Sequence, residues 1–193
     1  MNTESIVFIE GRSIYLRPLM PEDYNRNYLS WLNDPEVSYF TGRRFWPTRY
    51  EELQSFDSGK ENQLLHLAVC MQDDDVHVGN VSLGPIHWFH RCAEMRILIG
   101  QKEYWSRGIG IESIYLMARH AFQVLGLHRI EAGSINPSFN SIVTKKLGWN
   151  EEGRLRSKFF LGGEYVDIVL TSQLSDEFQL LPNYEIKSRT ATQ

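Results

Sequence analysis

The chain has 193 residues, enough for one domain with a full core and short for two. Its 42% hydrophobic and 23% charged residues are the proportions of an ordinary soluble globular protein. With 20 basic against 24 acidic residues, a net charge of −4, nucleic-acid binding driven by bulk charge is not expected, because neutralising phosphates takes a basic face.

No apolar run approaches the roughly 18 residues of a membrane span, so no membrane partner is expected. The first five residues lack the basic start and apolar stretch of a signal peptide. Two cysteines, Cys70 and Cys92, suit reduced thiols in a cytoplasmic protein. The first strand is predicted over residues 13–19. Pro21 then stands where a helix can begin, with Glu22 and Asp23 favoured in its first turn. Tyr24, Tyr28, Trp31 and Leu32 recur at helical spacing until Pro35 ends the pattern. A second helical piece is predicted over 48–56. Residues 63–71 read as a strand, Asp73, Asp74 and Asp75 as a turn, and 76–86 and 93–99 as two more strands. The clearest helix spans 108–125, where Ile114, Met117, Ala118, Ala121, Phe122 and Leu125 form one apolar stripe and Gly126 follows as a stop. A strand over 129–135 and a helix over 138–147, stopped by Gly148, come next. Gly162 and Gly163 join closing strands over 153–161 and 164–174 as a hairpin. Residues 1–175 read as a single domain and 176–193 as a polar tail. This order predicts an α/β protein with a mixed sheet and helices on its faces.

The most informative stretch runs from Gln101 to Glu112. A strand ends at Ile99, a polar connection follows, and Gly108 and Gly110 open the best helix of the chain. Glycines there let the backbone turn tightly, so that successive N–H groups and the helix dipole face an anion such as a pyrophosphate. A P-loop would need Gly-Lys-Ser/Thr where Gly110, Ile111 and Glu112 stand. A dinucleotide fingerprint would need a third glycine at Ser113 and would start directly after the strand, whereas Gly108 lies nine residues past Ile99. Glu131, about 20 residues downstream, stands where a ribose-binding acid would, which keeps a dinucleotide site as an alternative.

Trp105-Ser106-Arg107-Gly108-Ile109-Gly110 resembles the Gln/Arg-x-x-Gly-x-Gly/Ala motif of the GNAT N-acetyltransferases, with Trp105 departing at the first position. Four further segments resemble the RimJ/RimL-type branch, in which an aromatic at that position is tolerated. They are Trp31-Leu32-Asn33-Asp34-Pro35-Glu36-Val37, Lys146-Leu147-Gly148-Trp149, Glu152-Gly153-Arg154-Leu155-Arg156 and Gly163-Glu164-Tyr165-Val166-Asp167. The resemblance covers residues 13–174. It implies a mixed, mostly antiparallel sheet of about seven strands, helices on both faces, and a splay between the fourth and fifth strands. It also implies acetyl-CoA as co-substrate. The pyrophosphate would lie on the backbone of Arg107, Gly108, Ile109, Gly110 and Ile111, after Trp105 and Ser106. The pantetheine would run beside Ile97, Leu98 and Ile99 as an added strand does, with Asn136 or Asn140 on its other side.

Amide formation from a thioester needs a neutral amine, and an alkylamine with a pKa of about 10 is mostly protonated at neutral pH. A base must take a proton, directly or through water, and main-chain N–H groups can stabilise the oxyanion. Holding amine and thioester together removes the need for a covalent enzyme intermediate. The resemblance points to Glu94, at the start of the strand that carries the thioester, as the base; a surface glutamate at a strand edge is the plain alternative. Glu112 is the second candidate, with a structural role at the helix start preferred. The family's usual acid, a tyrosine near Val143 or Thr144, is missing, and Ser141 of the same helix is the candidate to polarise the leaving sulfur or position a water. An ordinary first-turn serine is the alternative there. Candidate acceptor-binding residues are Trp31, Tyr39, Phe40 and Arg43, beside Arg44, Phe45 and Trp46, together with His87 and Trp88 of the His87-Trp88-Phe89-His90 turn. Core packing and a solvated turn are the plain readings of those clusters. His87, His90 and Cys92 lack a second ligand pair, so no metal is expected.

The expected activity is N-acetyl transfer from acetyl-CoA to a primary amine by direct attack in a ternary complex. Acceptors within the branch include protein N-termini, polyamines and amino-sugar nucleotides; the aromatic rim favours an amino sugar or another small amine over a protein N-terminus. A homodimer is compatible with the resemblance. The missing tyrosine leaves a non-catalytic acyl-CoA-binding module as a competing reading.

Overall fold

The computed structural model describes residues 6–57 and 63–184. Strand β2 (Ile14–Pro18) shows how the sheet sits: Ile14, Tyr15, Leu16 and Arg17 are all buried, because both faces of the strand are covered. Strand period two sends Ile14 and Leu16 to one face and Tyr15 and Arg17 to the other. The other strands are β1 (Ile9–Glu10), β3 (Leu65–Met71), β4 (His77–His87), β5 (Cys92–Ile99), β6 (Arg129–Ser134), β7 (Asn150–Leu161) and β8 (Glu164–Leu174). They form one sheet in the order β1-β2-β3-β4-β5-β6-β8-β7, antiparallel throughout except between β5 and β6. The mixed, mostly antiparallel α/β fold is the expected one, with eight strands instead of about seven. The extra strand, β1, has two residues, too few to show any periodicity, and it pairs Ile9 with Leu16 and Glu10 with Tyr15. Counted from β2, the parallel pair is the fourth and fifth strands.

Helices α4 (Ile109–Gln123) and α5 (Pro137–Lys146) cover the face carrying Leu16, Val69, Val81, Met95 and Ile130. Residues 109–118 of α4 are buried almost all round, except for the half-buried Gly110, more than a one-sided stripe explains. The cause is the segment 176–184, which crosses the outer side of the helix. Phe178 stacks on Tyr115 with ring centroids 5.7 Å apart, and the Leu181 N–H donates to the Tyr115 hydroxyl at 3.1 Å. The predicted polar tail therefore begins as part of the core shell; its polar composition hid the apolar anchors Phe178, Leu181 and Tyr184.

The opposite face is covered by a helical segment predicted as one piece. It is divided into α1 (Pro21–Asp23), a wider π-helical turn (Tyr24–Tyr28) and α2 (Leu29–Asn33). Asp23 accepts the Met20 N–H at 2.7 Å and turns inward onto Arg17, whose guanidinium donates to it at 2.6 and 2.9 Å. His77 Nδ1 lies 3.2 Å from the same carboxylate, and all three side chains are buried. Burial alone would raise the Asp23 pKa; the donors Arg17, His77 and the Met20 N–H outweigh it and hold the carboxyl well below the usual range. Helix α3 (Tyr50–Asp57) completes the helices. Among the described residues, no helix is long and apolar enough to cross a membrane.

Candidate active site

Strands β5 and β6 pair over only three rungs: Cys92 with Arg129, Ala93 with Ile130 and Glu94 with Glu131. Beyond Glu94, β5 stays with β4 as far as Ile99 opposite Gly79, while β6 follows β8 as far as Ser134 opposite Val169. The two strands part there. From Met95 onward the β6 side of β5 has no ladder partner among the described residues, leaving main-chain groups for an extended ligand. Ile97, Leu98 and Ile99 lie on this stretch and are half-buried.

The chain leaves β5 through a short 3-10 turn (Lys102–Tyr104) and reaches α4 over a loop of alternating handedness. Ser106 has φ of +62° and Gly108 of +85°, with Arg107 at negative φ between them, which turns successive N–H groups to the same side. The first intrahelical bond of α4 runs from the Glu112 N–H to the Gly108 carbonyl at 3.1 Å, and no side chain caps the helix. The N–H groups of Gly108, Ile109, Gly110 and Ile111 are therefore left without acceptors in the helix, at the positive end of its dipole. A Cβ on Gly108 would meet nothing within 4 Å, and one on Gly110 only Ile97 Cδ1 and Ile99 Cγ1 at 3.9 Å. Open space over four uncapped donors fits a diphosphate. Trp105 supports this loop from its side: its indole N–H donates to the Ile99 carbonyl at 2.8 Å. An aromatic with an N–H therefore has work at the motif position where it departs from the family pattern. A dinucleotide site of the doubly wound kind does not fit, because β4, next to β5, is antiparallel to it and Glu131 is engaged by Arg129 at 2.7 Å.

The catalytic candidates part company. Glu94 is the last residue of β5 paired with β6, at the closed end of the gap, and its carboxylate is gripped by Arg96 at 3.0 and 2.5 Å. Glu112 has a structural job: it is 3% exposed and its Oε1 accepts the N–H groups of Arg12, at 2.6 Å, and Ser13, at 2.9 Å, closing the β1–β2 turn. This geometry fits the structural role preferred for Glu112 over the catalytic one, since its carboxylate faces the turn. Ser141 is exposed on α5, which begins beside the open end of the gap. Asn136 is the N-cap of α5, accepting the Ser138 N–H at 2.9 Å, while Asn140 donates to the Ser134 carbonyl at 3.2 Å and so ties α5 to the end of β6.

The acceptor candidates also separate. Trp31 is buried, and its ring fills the space beside Gly100, where a Cβ would lie 1.9 Å from Cδ2, which fits the plain reading of core packing. Tyr39 and Phe40 meet edge to face at 4.9 Å, and Arg44 lies over both Tyr39 and Phe45. Phe45 reaches Phe159 on β7 at 6.0 Å, so this cluster, with Arg43, joins the β7–β8 hairpin. His87 and Trp88 sit at the β4–β5 turn, at the other end of β5, roughly 25 Å away for a strand of this length. The two aromatic clusters do not form one wall. Sequence reasoning missed Arg96 and Lys102. The i, i+2 spacing of Glu94 and Arg96 on a strand, which places both on one face, was the available signal for the first.

The Acetyltransferase (GNAT) domain family matches residues 13–150. The Probable N-acetyltransferase YjcK of Bacillus subtilis is 29% identical over 175 residues, covering 82% of this chain and 92% of its own. The Spermidine N(1)-acetyltransferase of Escherichia coli is 29% identical over 159 residues, 80% of this chain and 82% of its own. Among solved structures, the spermidine N-acetyltransferase of Vibrio cholerae in complex with CoA and spermine has a similar fold, with a TM-score of 0.77 at 24% identity, over 86% of this chain and 97% of that one. The match over residues 13–150, on a sheet that splays beside an uncapped helix start, means that the chain belongs to the GNAT acetyltransferase family and is an acyltransferase with acetyl-CoA as its co-substrate.

Proposed function

We propose that the protein is a RimJ/RimL-type N-acetyltransferase that acetylates the primary amine of a small molecule, by direct attack within a ternary complex. The observation that carries this reading is the run of uncapped N–H groups from Gly108 to Ile111, opening onto the unpaired edge of β5. These donors, with Arg107, would hold the diphosphate, and Ile97, Leu98 and Ile99 would line the pantetheine. Acetyl-CoA supplies an activated acyl group on a good leaving thiol. The chain's own task is to hold an amine at the closed end of the gap and to take its proton. Glu94 stands there and receives that proton, directly or through water, as the amine nitrogen bonds to the acyl carbon and the carbon–sulfur bond breaks. Ser141 is the proposed support for the departing sulfur.

The relatives that acetylate spermidine support a small-molecule acceptor. An amino sugar falls in the same class of small amine. A single domain carries all these groups. Free Cys70 and Cys92, the former with its thiol pushed up to about 11 by burial, suit a reducing cytoplasm. The test is thiol release from acetyl-CoA with spermidine, glucosamine, an amino-sugar nucleotide and a peptide with a free N-terminus. A small amine should exceed the peptide at least tenfold in kcat/KM. Turnover confined to the peptide, or to none of the four, would overturn the acceptor class.

A further inference from the structure

Two residues beyond Glu94 on the same face of β5 stands Arg96. Its Nε donates to Glu94 Oε1 at 3.0 Å and its Nη2 to Oε2 at 2.5 Å, a planar fork on a planar carboxylate. Its remaining nitrogen, Nη1, donates to the Gly84 carbonyl at 3.1 Å. That carbonyl is available because β4 slips register against β5 between Leu83 and Ile86, taking Gly84 out of the regular ladder. The guanidinium is thus anchored on the main chain of β4 and in turn grips the carboxylate.

The location gives the clamp its meaning. Glu94 is on the last rung shared with β6, whereas Arg96 lies on the stretch that β6 has left. Both side chains are half-exposed, 37% for Glu94 and 45% for Arg96, so the pair is not a buried strut, and exposed ion pairs contribute little to folding. A free glutamate on a strand would sample several rotamers, and the two-point fork favours the one in which both oxygens meet Arg96. The fork uses two of the roughly four lone-pair sites of the carboxylate and leaves the others for an amine or a water.

We propose that Arg96 is a positioning residue for acetyl transfer, fixing the Glu94 carboxylate at the closed end of the gap in the orientation from which it takes the amine proton. The inference rests on the proposed role of Glu94. Lysine at position 96 keeps the charge but cannot make the fork, and glutamine keeps neither charge nor fork.

Thiol release from acetyl-CoA is measured with spermidine as the probe amine, and as slow hydrolysis without an amine, for Arg96→Lys, Arg96→Gln, Glu94→Gln and the double variant Glu94→Gln/Arg96→Gln. Glu94→Gln should lower kcat about 100-fold or more. Arg96→Gln should lower kcat about 10- to 100-fold, with the KM for acetyl-CoA within about twofold and an unchanged melting temperature. Arg96→Lys should recover less than half of the lost rate. In the Glu94→Gln background, removing Arg96 should cost less than about twofold more, because the group it positions is already gone. Full activity of Arg96→Lys, a raised KM for acetyl-CoA at unchanged kcat, or an undiminished loss in the double variant would overturn the positioning role. Wild-type rates in Glu94→Gln would instead overturn the proposed base, so the two failures are distinguishable.

Discussion

Gly110→Ala separates folding from donor binding. Position 110 is the second residue of α4, and an added Cβ would touch only Ile97 Cδ1 and Ile99 Cγ1 at 3.9 Å, an ordinary van der Waals distance. Nothing must move to admit it. Alanine is favoured over glycine in a helix by up to about 1 kcal/mol, and for a domain of this size 1 kcal/mol corresponds to about 2–4 °C in Tm. The folded protein should therefore hold its melting temperature or gain up to about 3 °C. The same methyl group would stand at the helix start against Ile97 and Ile99, where the proposed coenzyme passes from the diphosphate donors to the strand edge. Displacing a diphosphate from one or two charge-assisted hydrogen bonds costs about 3 kcal/mol, or about 100-fold in affinity. Calorimetric titration with CoA, alongside thermal melts, reads both quantities. Gly153→Ala, on β7 and far from the loop, where a Cβ meets nothing within 4 Å, is the control for binding. A variant that melts normally and binds CoA with wild-type affinity would refute the placement of the diphosphate on this backbone. A fall of several degrees in Tm would refute the reading that the space is open.

Three more outcomes are expected. Glu112→Ala strips the acceptor from the Arg12 and Ser13 N–H groups and should cost about 2–4 kcal/mol, whereas Glu112→Gln keeps a carbonyl acceptor and should cost about 1 kcal/mol with kcat unchanged; loss of turnover in a well-folded Gln variant would restore a catalytic role. On acidification, Asp23 and Glu152 both have folded pKa values below their ordinary ones, Glu152 at about 2 through hydrogen bonds from Arg129 and Ser172. The unfolded chain then binds more protons as pH falls, so the stability these groups contribute is intact above about pH 4.5 and is lost between there and about pH 2. Urea midpoints that stay flat from pH 6 to pH 2.5 would contradict this. Cys70 is fully buried with its thiol pushed up to about 11, so Ellman's reagent at pH 8 should not label it in the native protein and should label both cysteines in guanidinium.

What the sequence displayed depended on how local the cause was. The apolar stripe of α4 and the Gly162-Gly163 hairpin follow from nearest neighbours on one element, and both were legible. The gap between β5 and β6 was not readable from residues, because nothing in Met95–Ile99 records that the partner strand leaves; it came only through the family resemblance. Glu112 reads as a helix-start acid, and the partner it holds, the β1–β2 turn, is not visible locally because it lies about 100 residues earlier in the chain. Trp31 fell on the helical period, which says buried or binding but does not say which; the missing side chain at Gly100, nearly 70 residues later, favours packing. His87 and Tyr39 were grouped by composition, and only the strand between them shows that they face different ends of the sheet.

The Trp31–Val37 segment illustrates how such distant causes combine at one motif. Trp31 seats the end of β5 by filling the space at Gly100. Asn33 closes the excursion that follows, donating to the Thr48 carbonyl at 3.0 Å and accepting the Thr48 N–H at 2.8 Å. Asp34 Oδ1 accepts the N–H groups of Glu36 and Val37, at 2.8 and 3.2 Å, which turns the chain after Pro35. Its other oxygen, with Glu36, takes Lys102 Nζ at 2.9 and 2.6 Å. Lys102 opens the turn that leads to the uncapped donors of α4. The loop bearing Tyr39, Arg43 and Phe45 is therefore pinned at both ends to itself and at one side to the proposed donor cradle. The ion pairs of Lys102 with Asp34 and Glu36 are exposed or half-exposed and worth little alone. The contacts of Trp31, Asp34 and Glu36 converge on the end of β5, so the spacing of the motif follows what lies beneath it: Trp31 reaches Gly100, and Asp34 and Glu36 reach Lys102.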